Sequence, residues 1–97
     1  MMGTRSHELA TIESFRRNPR NAAEYLNAVL EDGDQDELML ALRRLANAFG
    51  GVGELAQAAD LNATTLYRTL SQRGNPELKS LAAILKAMGL RIAVEPL

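Results

Sequence analysis

The chain has no cysteine and a single histidine, His7. Disulfides and thiolate zinc sites are therefore excluded, and a transition-metal site lacks its usual ligands. No apolar run approaches the roughly 20 residues that a membrane-spanning helix requires. The opening MMGTRSHELATIES has no apolar core of the kind that marks a secretory signal. Nor is there a marked excess of one charge, since the formal net charge is −1. That balance does not announce a nucleic-acid binder, but basic residues count by placement. From Phe49 onward five basic residues face four acidic ones, whereas Met1 to Ala48 holds six against eight. The expectation is a soluble cytoplasmic protein with no cofactor and no membrane partner. At 97 residues the chain makes one domain with a modest core, which oligomerisation would help to stabilise.

Assembled catalytic chemistry is also missing. Gly50-Gly51-Val52-Gly53 lacks the Gly-Lys-Ser/Thr ending of a phosphate loop, and no strand precedes it. A helix break accounts for it better. Acidic pairs such as Asp34 and Asp36 fall on a turn rather than in a cleft. An enzyme is not expected.

What is present is a succession of helical stripes separated by stop signals. Residues 1–18 are polar and read as a flexible N-terminal arm, with residues 19–97 as the folded domain. Asn18-Pro19 is an N-cap followed by proline in the first turn. Ala22, Tyr25, Leu26, Val29 and Leu30 then form one apolar stripe, and the helix should run to about Glu31. After Gly33, Asp34 and Glu37 have capping-box spacing. Leu38, Ala41, Leu42, Leu45 and Phe49 make a second stripe, with Arg43, Arg44 and Asn47 outward. Gly50-Gly51 stops this helix. Further on, Asn75 caps and Pro76 opens a fifth helix, with Leu78, Leu81, Ala82, Leu85 and Met88 inward and Gly89 at the C′ position.

Between these lies VGELAQAADLNATTLYRTLS, Val52 to Ser71, which reads as two short helices joined by a tight corner. Leu55, Ala56 and Ala59 line one side of the first. Leu66 and Leu70 sit one turn apart on the second. Asp60 falls at the corner, and Asp tolerates the left-handed backbone region better than most residues. Leu61 can plug the angle, and Asn62 is a good N-cap. The second helix keeps Ala63, Thr64, Tyr67 and Arg68 outward, a face that fits a major groove. The motif therefore points to a helix-turn-helix. A plain helical interaction module contains such corners too.

After Gly89 the period changes. Leu90, Ile92 and Val94 alternate with Arg91, Ala93 and Glu95, and Pro96 ends a short strand. A strand needs a partner for its backbone groups. A second copy, antiparallel across a two-fold axis, supplies one through Leu90, Arg91, Ile92 and Val94. A frayed tail and a partner protein's sheet edge are the other readings. Dimerisation also suits a reader of palindromic DNA, whose half-sites lie about 34 Å apart.

The stretch LNATTLYRTLSQRGNPELKSLAAILKAMGLRIAVEP resembles the C-terminal half of the HigA-like addiction module antidote proteins. The matching features are Leu66-Tyr67-Arg68, Leu70-Ser71, Gly74-Asn75-Pro76 and the ending Gly89 to Pro96. AAEYLNAVLEDGD, Ala22 to Asp34, is similar to the family's first helix. The resemblance implies an all-α, five-helix lambda-repressor-like domain with the C-terminal strand pairing across a dimer. It also implies a type II antitoxin that neutralises a RelE/ParE-type toxin and represses its own operon by binding operator DNA. A helix-turn-helix regulator without a toxin is the alternative. Two departures stand out: Asp60 occupies a corner where the family usually has Gly, which strains the turn slightly, and Thr65 sits where a smaller residue is common.

On this reading Arg68 is the first choice for a base contact, because its planar fork suits the O6 and N7 of guanine. Thr64 meets a base edge or a thymine methyl, Ala63 matters by being small, and Tyr67 either touches phosphate or packs under the helix. Gln57, Asn62, Thr65, Arg73, Asn75 and Lys79 are candidate phosphate contacts, which fix register without reading sequence. Asn62 and Thr65 have capping as their other role. The acidic run around Asp32, Asp34 and Asp36 is either a solvated helix start or a match for a basic toxin face. Phe15 and Arg16 of the arm are rival toxin contacts.

Overall fold

A computed structural model describes residues 14–15, 17–71 and 73–97. Its regular structure is helical, in the order α1 (Pro19–Asp32), α2 (Gln35–Ala48), α3 (Val52–Ala59), α4 (Ala63–Thr69) and α5 (Leu78–Ala87).

Local side chains start three of these helices as their types dictate. Asn18 Oδ1 accepts from the Arg20 N–H at 3.0 Å, with Pro19 in the first turn. Asp34 Oδ1 accepts from the Glu37 N–H at 2.9 Å, and Asp36 and Glu37 add negative charge where the α2 dipole favours it. Asn62 Oδ1 accepts from the Thr65 N–H at 2.9 Å to start α4. Helix α5 differs from expectation. Its N-cap is Glu77, which makes no side-chain capping bond, so Asn75-Pro76 lie in the loop before the helix.

Three helix ends share one device. At each, a residue with positive φ lets the chain fold back on the last turn. Gly50, Asp60 and Gly89 hold that place, at φ of 99°, 57° and 81°. At the last corner, for instance, Leu90 N–H reaches Leu85 O at 2.8 Å and Gly89 N–H reaches Lys86 O at 3.0 Å.

Helix α3 is the hub, packing on α2, α4 and α5, while α1 packs on α2. The core is centred on Met39, Leu42, Leu45, Leu55, Leu66, Leu70, Ile84 and Met88, each no more than 2% exposed. Helix α2 is buried on more than one stripe, because it lies between α1 and α3; Met39, Ala46 and Ala48 are buried along with the expected Leu42 and Leu45.

Several expected core positions shift. Leu30 is 59% and Leu78 72% exposed, and Ala82 is exposed as well, so the α5 stripe is Leu81, Ile84, Leu85 and Met88. Leu78 occupies the first turn of α5, and nothing covers it there. Arg43 and Arg44, expected outward, are half-buried and turn toward neighbouring elements. Arg44 Nη1 lies 3.4 Å from the Tyr25 hydroxyl, a long bond between α2 and α1. Phe15, assigned to the flexible arm as a toxin contact, is in the core instead, 5% exposed, with its ring stacked 4.9 Å from that of Tyr25. Ser14 Oγ accepts from Asn21 Nδ2 at 2.6 Å beside it. His7 and Arg16 lie outside the described residues.

The strand expected over Leu90 to Glu95 is not formed among the described residues. Among the described residues, the backbone N–H groups after Leu90 have no backbone partner. A ladder needs two strands, and the described helices offer no second one.

Candidate nucleic-acid interface

The corner between α3 and α4 has the geometry that its sequence requires. Asp60 adopts φ 57°, ψ 45°, the left-handed conformation, and its own N–H bonds Gln57 O at 3.2 Å. Leu61 N–H closes on Ala56 O at 2.8 Å, and the Leu61 side chain packs against the core at the angle. Ala56 is 1% exposed, which fits a small residue at a close helix approach. The Asn62 cap then launches α4 in a new direction.

Helix α4 is split cleanly in two. Leu66 and Leu70, one turn apart, are 2% and 1% exposed. Thr64, Tyr67 and Arg68, spaced i, i+3, i+4, share the opposite face and are all exposed. Tyr67 is 62% exposed, so it does not pack beneath the helix. Ala63 is half-buried against the core, so its part is close packing, and a base contact is not open to it in full. Asn62 is committed to the cap, and the Thr65 N–H donates to it, while the Thr65 side chain is exposed.

The remaining candidates lie on the surface. Gln57 on α3, Arg73 and Asn75 in the loop after α4, and Lys79 in the first turn of α5 are all exposed. From Leu61 to Pro76 the chain carries Arg68 and Arg73 and no acidic residue. The segment itself is thus positive, although the exposed Asp60 and Glu77 border it directly. Gly74 has a structural duty in this loop. A Cβ there would collide with the carbonyl of Thr69, so the chain can pass this close to the end of α4 only with glycine.

One residue of the site escaped sequence reasoning. Arg43 of α2 donates from Nη1 to the carbonyl oxygen of Leu70 at 2.8 Å. Leu70 is the C-cap of α4, so a half-buried guanidinium satisfies an orphan carbonyl and meets the negative end of the helix dipole. Ser71 Oγ donates to Arg68 O at 2.7 Å at the same end. The pair Arg43-Arg44 on the margin of an apolar stripe was the available signal, but spacing does not say which arginine reaches inward. Replacing Arg43 with alanine should lower stability by about 1–3 kcal/mol, the range for a lost charged hydrogen bond. Chemical denaturation of the two proteins side by side checks this, and an unchanged midpoint would contradict it.

Residues 8–96 match the sequence profile of a family described as probable addiction module antidote protein. The chain belongs to this antidote family. It is also 30% identical over 71 residues to a protein of Haemophilus influenzae (strain ATCC 51907 / DSM 11121 / KW20 / Rd) described as uncharacterized. That alignment covers 73% of this chain and 72% of the relative. No solved structure matches. Membership supports an antitoxin role, and with it a toxin partner. The antidote chain is mostly helical, and none of its described helices is long and apolar enough to cross a membrane.

The acidic residues Asp32, Asp34 and Asp36 are exposed around the α1–α2 turn, although Asp34 is also the cap of α2. In the tail of this antidote, Leu90 is half-buried, while Arg91, Ile92 and Val94 are exposed, Val94 at 94%.

Proposed function

We propose that this antidote is the antitoxin of a type II toxin–antitoxin module. It neutralises a RelE/ParE-type toxin and, as a homodimer, represses its own operon through a lambda-repressor-like helix-turn-helix. The observation that carries the DNA reading is the division of α4, with leucines locked under it and Thr64, Tyr67 and Arg68 presented outward beyond an Asp60 corner. Helix α4 enters the major groove. Arg68 reads a base, with Thr64 and Tyr67 beside it, while Gln57, Thr65, Arg73, Asn75 and Lys79 meet phosphates. The chain performs no catalysis on this reading and needs no cofactor.

The test is binding to the DNA upstream of its own gene, measured by fluorescence anisotropy across a salt series. Contacts to phosphate release counterions, so affinity should fall steeply with salt and exceed that for scrambled DNA. Affinity equal for both sequences, or independent of salt, would overturn the repressor reading. Co-purification with the product of the adjacent gene separates an antitoxin from a regulator that has no toxin.

The toxin contact is assigned to the acidic turn by charge complementarity with a basic RNA-cleaving face. Changing Asp32, Asp34 and Asp36 together to asparagine preserves the side-chain oxygen that Asp34 uses as a cap. Association with the toxin should slow, most at low salt. Stopped-flow rates unchanged at low salt would remove this surface from the encounter.

A further inference from the structure

The tail after α5 is self-complementary in a way that fixes how two copies meet. We propose that residues 90–96 of two chains pair as an antiparallel two-stranded ladder with the two-fold axis at Ala93. This rests on the homodimer reading above and specifies its interface. With Ala93 opposite itself, residues equally far before and after it face each other across the two copies. Arg91 then faces Glu95, and by symmetry Glu95 faces Arg91. Ile92 faces Val94 twice. Each charge meets its opposite and each apolar side chain meets an apolar one, the combination that stabilises cross-strand pairs. Moving the axis by one residue to Ile92 or Val94 places Arg91 opposite Ala93, or Glu95 opposite Ala93, and loses both ion pairs.

Pro96 agrees with the same register. Opposed residues in an antiparallel ladder alternate between hydrogen-bonded and non-hydrogen-bonded pairs. If Ala93 forms a hydrogen-bonded pair with itself, so do Arg91 and Glu95, and the pair of Leu90 with Pro96 is a non-bonded one. A proline, which has no N–H to donate, is harmless there.

The surroundings of this segment favour a cover from outside the chain. Ile92 is 45%, Val94 94% and Leu97 128% exposed, an apolar tail end that its own chain covers only in part. Arg91, Ile92, Ala93 and Glu95 border an open, largely apolar groove of about 600 Å³ between α1, α2 and α5. Leu30 and Leu78, the two most exposed helical leucines, line the same groove. A second copy paired to the tail lies over this groove and withdraws from water the apolar surface that the single chain leaves bare.

The experiment uses charge exchange. Arg91→Glu places two glutamate pairs across the axis, and Glu95→Arg places two arginine pairs there. Each variant alone should dimerise roughly tenfold more weakly than the wild type, given two reversed pairs per dimer. Mixing the two variants sets the introduced glutamate of one chain against the introduced arginine of the other. The native Glu95 of the first chain then faces the native Arg91 of the second, so both pairs are again opposite in charge. Dimerisation should return to near the wild-type level. Sedimentation velocity on the intact chains reads this without DNA or toxin, and helical circular dichroism confirms that each variant is folded. Single variants that dimerise like the wild type, or a mixture no tighter than its components, overturn the proposal. In parallel, Ala93→Cys puts the chain's sole thiol on the axis, where paired Cα atoms lie about 5.5 Å apart, within the span of a disulfide. Mild oxidation should give a covalent dimer faster than for Glu95→Cys, and equal rates would count against the register. If the dimer behaves as stated while upstream DNA is not bound, the repressor reading fails and the interface stands. If DNA is bound but charge exchange has no effect, the reverse holds.

Discussion

Replacing Leu66 with alanine should unfold this domain at a temperature at least about 10 °C lower than the wild type. Leu66 is 2% exposed and joins α4 to the core from its inner face. Removing a buried leucine side chain costs about 2–5 kcal/mol, part of it lost transfer energy and part the cavity left behind. A domain of this size has about 5–15 kcal/mol in total and loses about 4–8 °C of melting temperature per kcal/mol. The control is Leu78→Ala, on a leucine 72% exposed, which should stay within about 0.5 kcal/mol of the parent. Differential scanning calorimetry on both variants decides the matter. Equal losses would mean that α4 is not held from beneath as described.

On the proposed DNA reading, Arg68→Ala should weaken operator binding while leaving the fold intact. The side chain is exposed and, among the described residues, takes part in no hydrogen bond through its guanidinium. Losing a bidentate base contact costs about 1–3 kcal/mol in each half-site, and a dimer has two half-sites. Each ~1.4 kcal/mol is tenfold in affinity. Binding to the upstream DNA should therefore fall by at least an order of magnitude, and the preference over scrambled DNA should fall with it. Arg73→Ala is the informative comparison. As a phosphate contact in each half-site it should weaken both sequences alike and reduce the salt slope by about 2. A pattern in which Arg68→Ala weakens both sequences equally would reassign Arg68 to the phosphates.

The two variants follow from features that were legible to different degrees in the residues. Asn18, Asp34 and Asn62 do what their side-chain chemistry dictates within one turn of chain, so their capping was readable without knowing any neighbour. Asp60 in the left-handed region is of the same kind. The alternation of Leu66 and Leu70 with Thr64, Tyr67 and Arg68 was readable because a helix carries its own period. What depends on distant elements was not. Arg43 and Arg44 flank an apolar stripe, and only the arrival of the α4 end and of Tyr25 decides that they turn inward. Leu30 and Leu78 have the spacing of core residues, but the groove between α1, α2 and α5 leaves them uncovered. Phe15 lies in a polar stretch, and its burial depends on the ring of Tyr25 further along the chain. The start of α5 was displaced because Asn75-Pro76 has the composition of a cap while Gly74 keeps that segment pinned against Thr69. The strand is a separate matter. Its alternating pattern is present in the tail, but among the described residues no second segment lies beside it for its backbone to pair with.

On the proposed function, the outer face of α4 is the surface that meets DNA. Amide chemical shifts of the folded protein, followed as a duplex from upstream of its gene is added, test this directly. The account predicts the largest changes at Thr64, Tyr67 and Arg68, smaller ones at Gln57 and Arg73, and little at Leu30 or Leu40 on the other helices. Shifts concentrated on α1 and α2, with α4 unmoved, would contradict it.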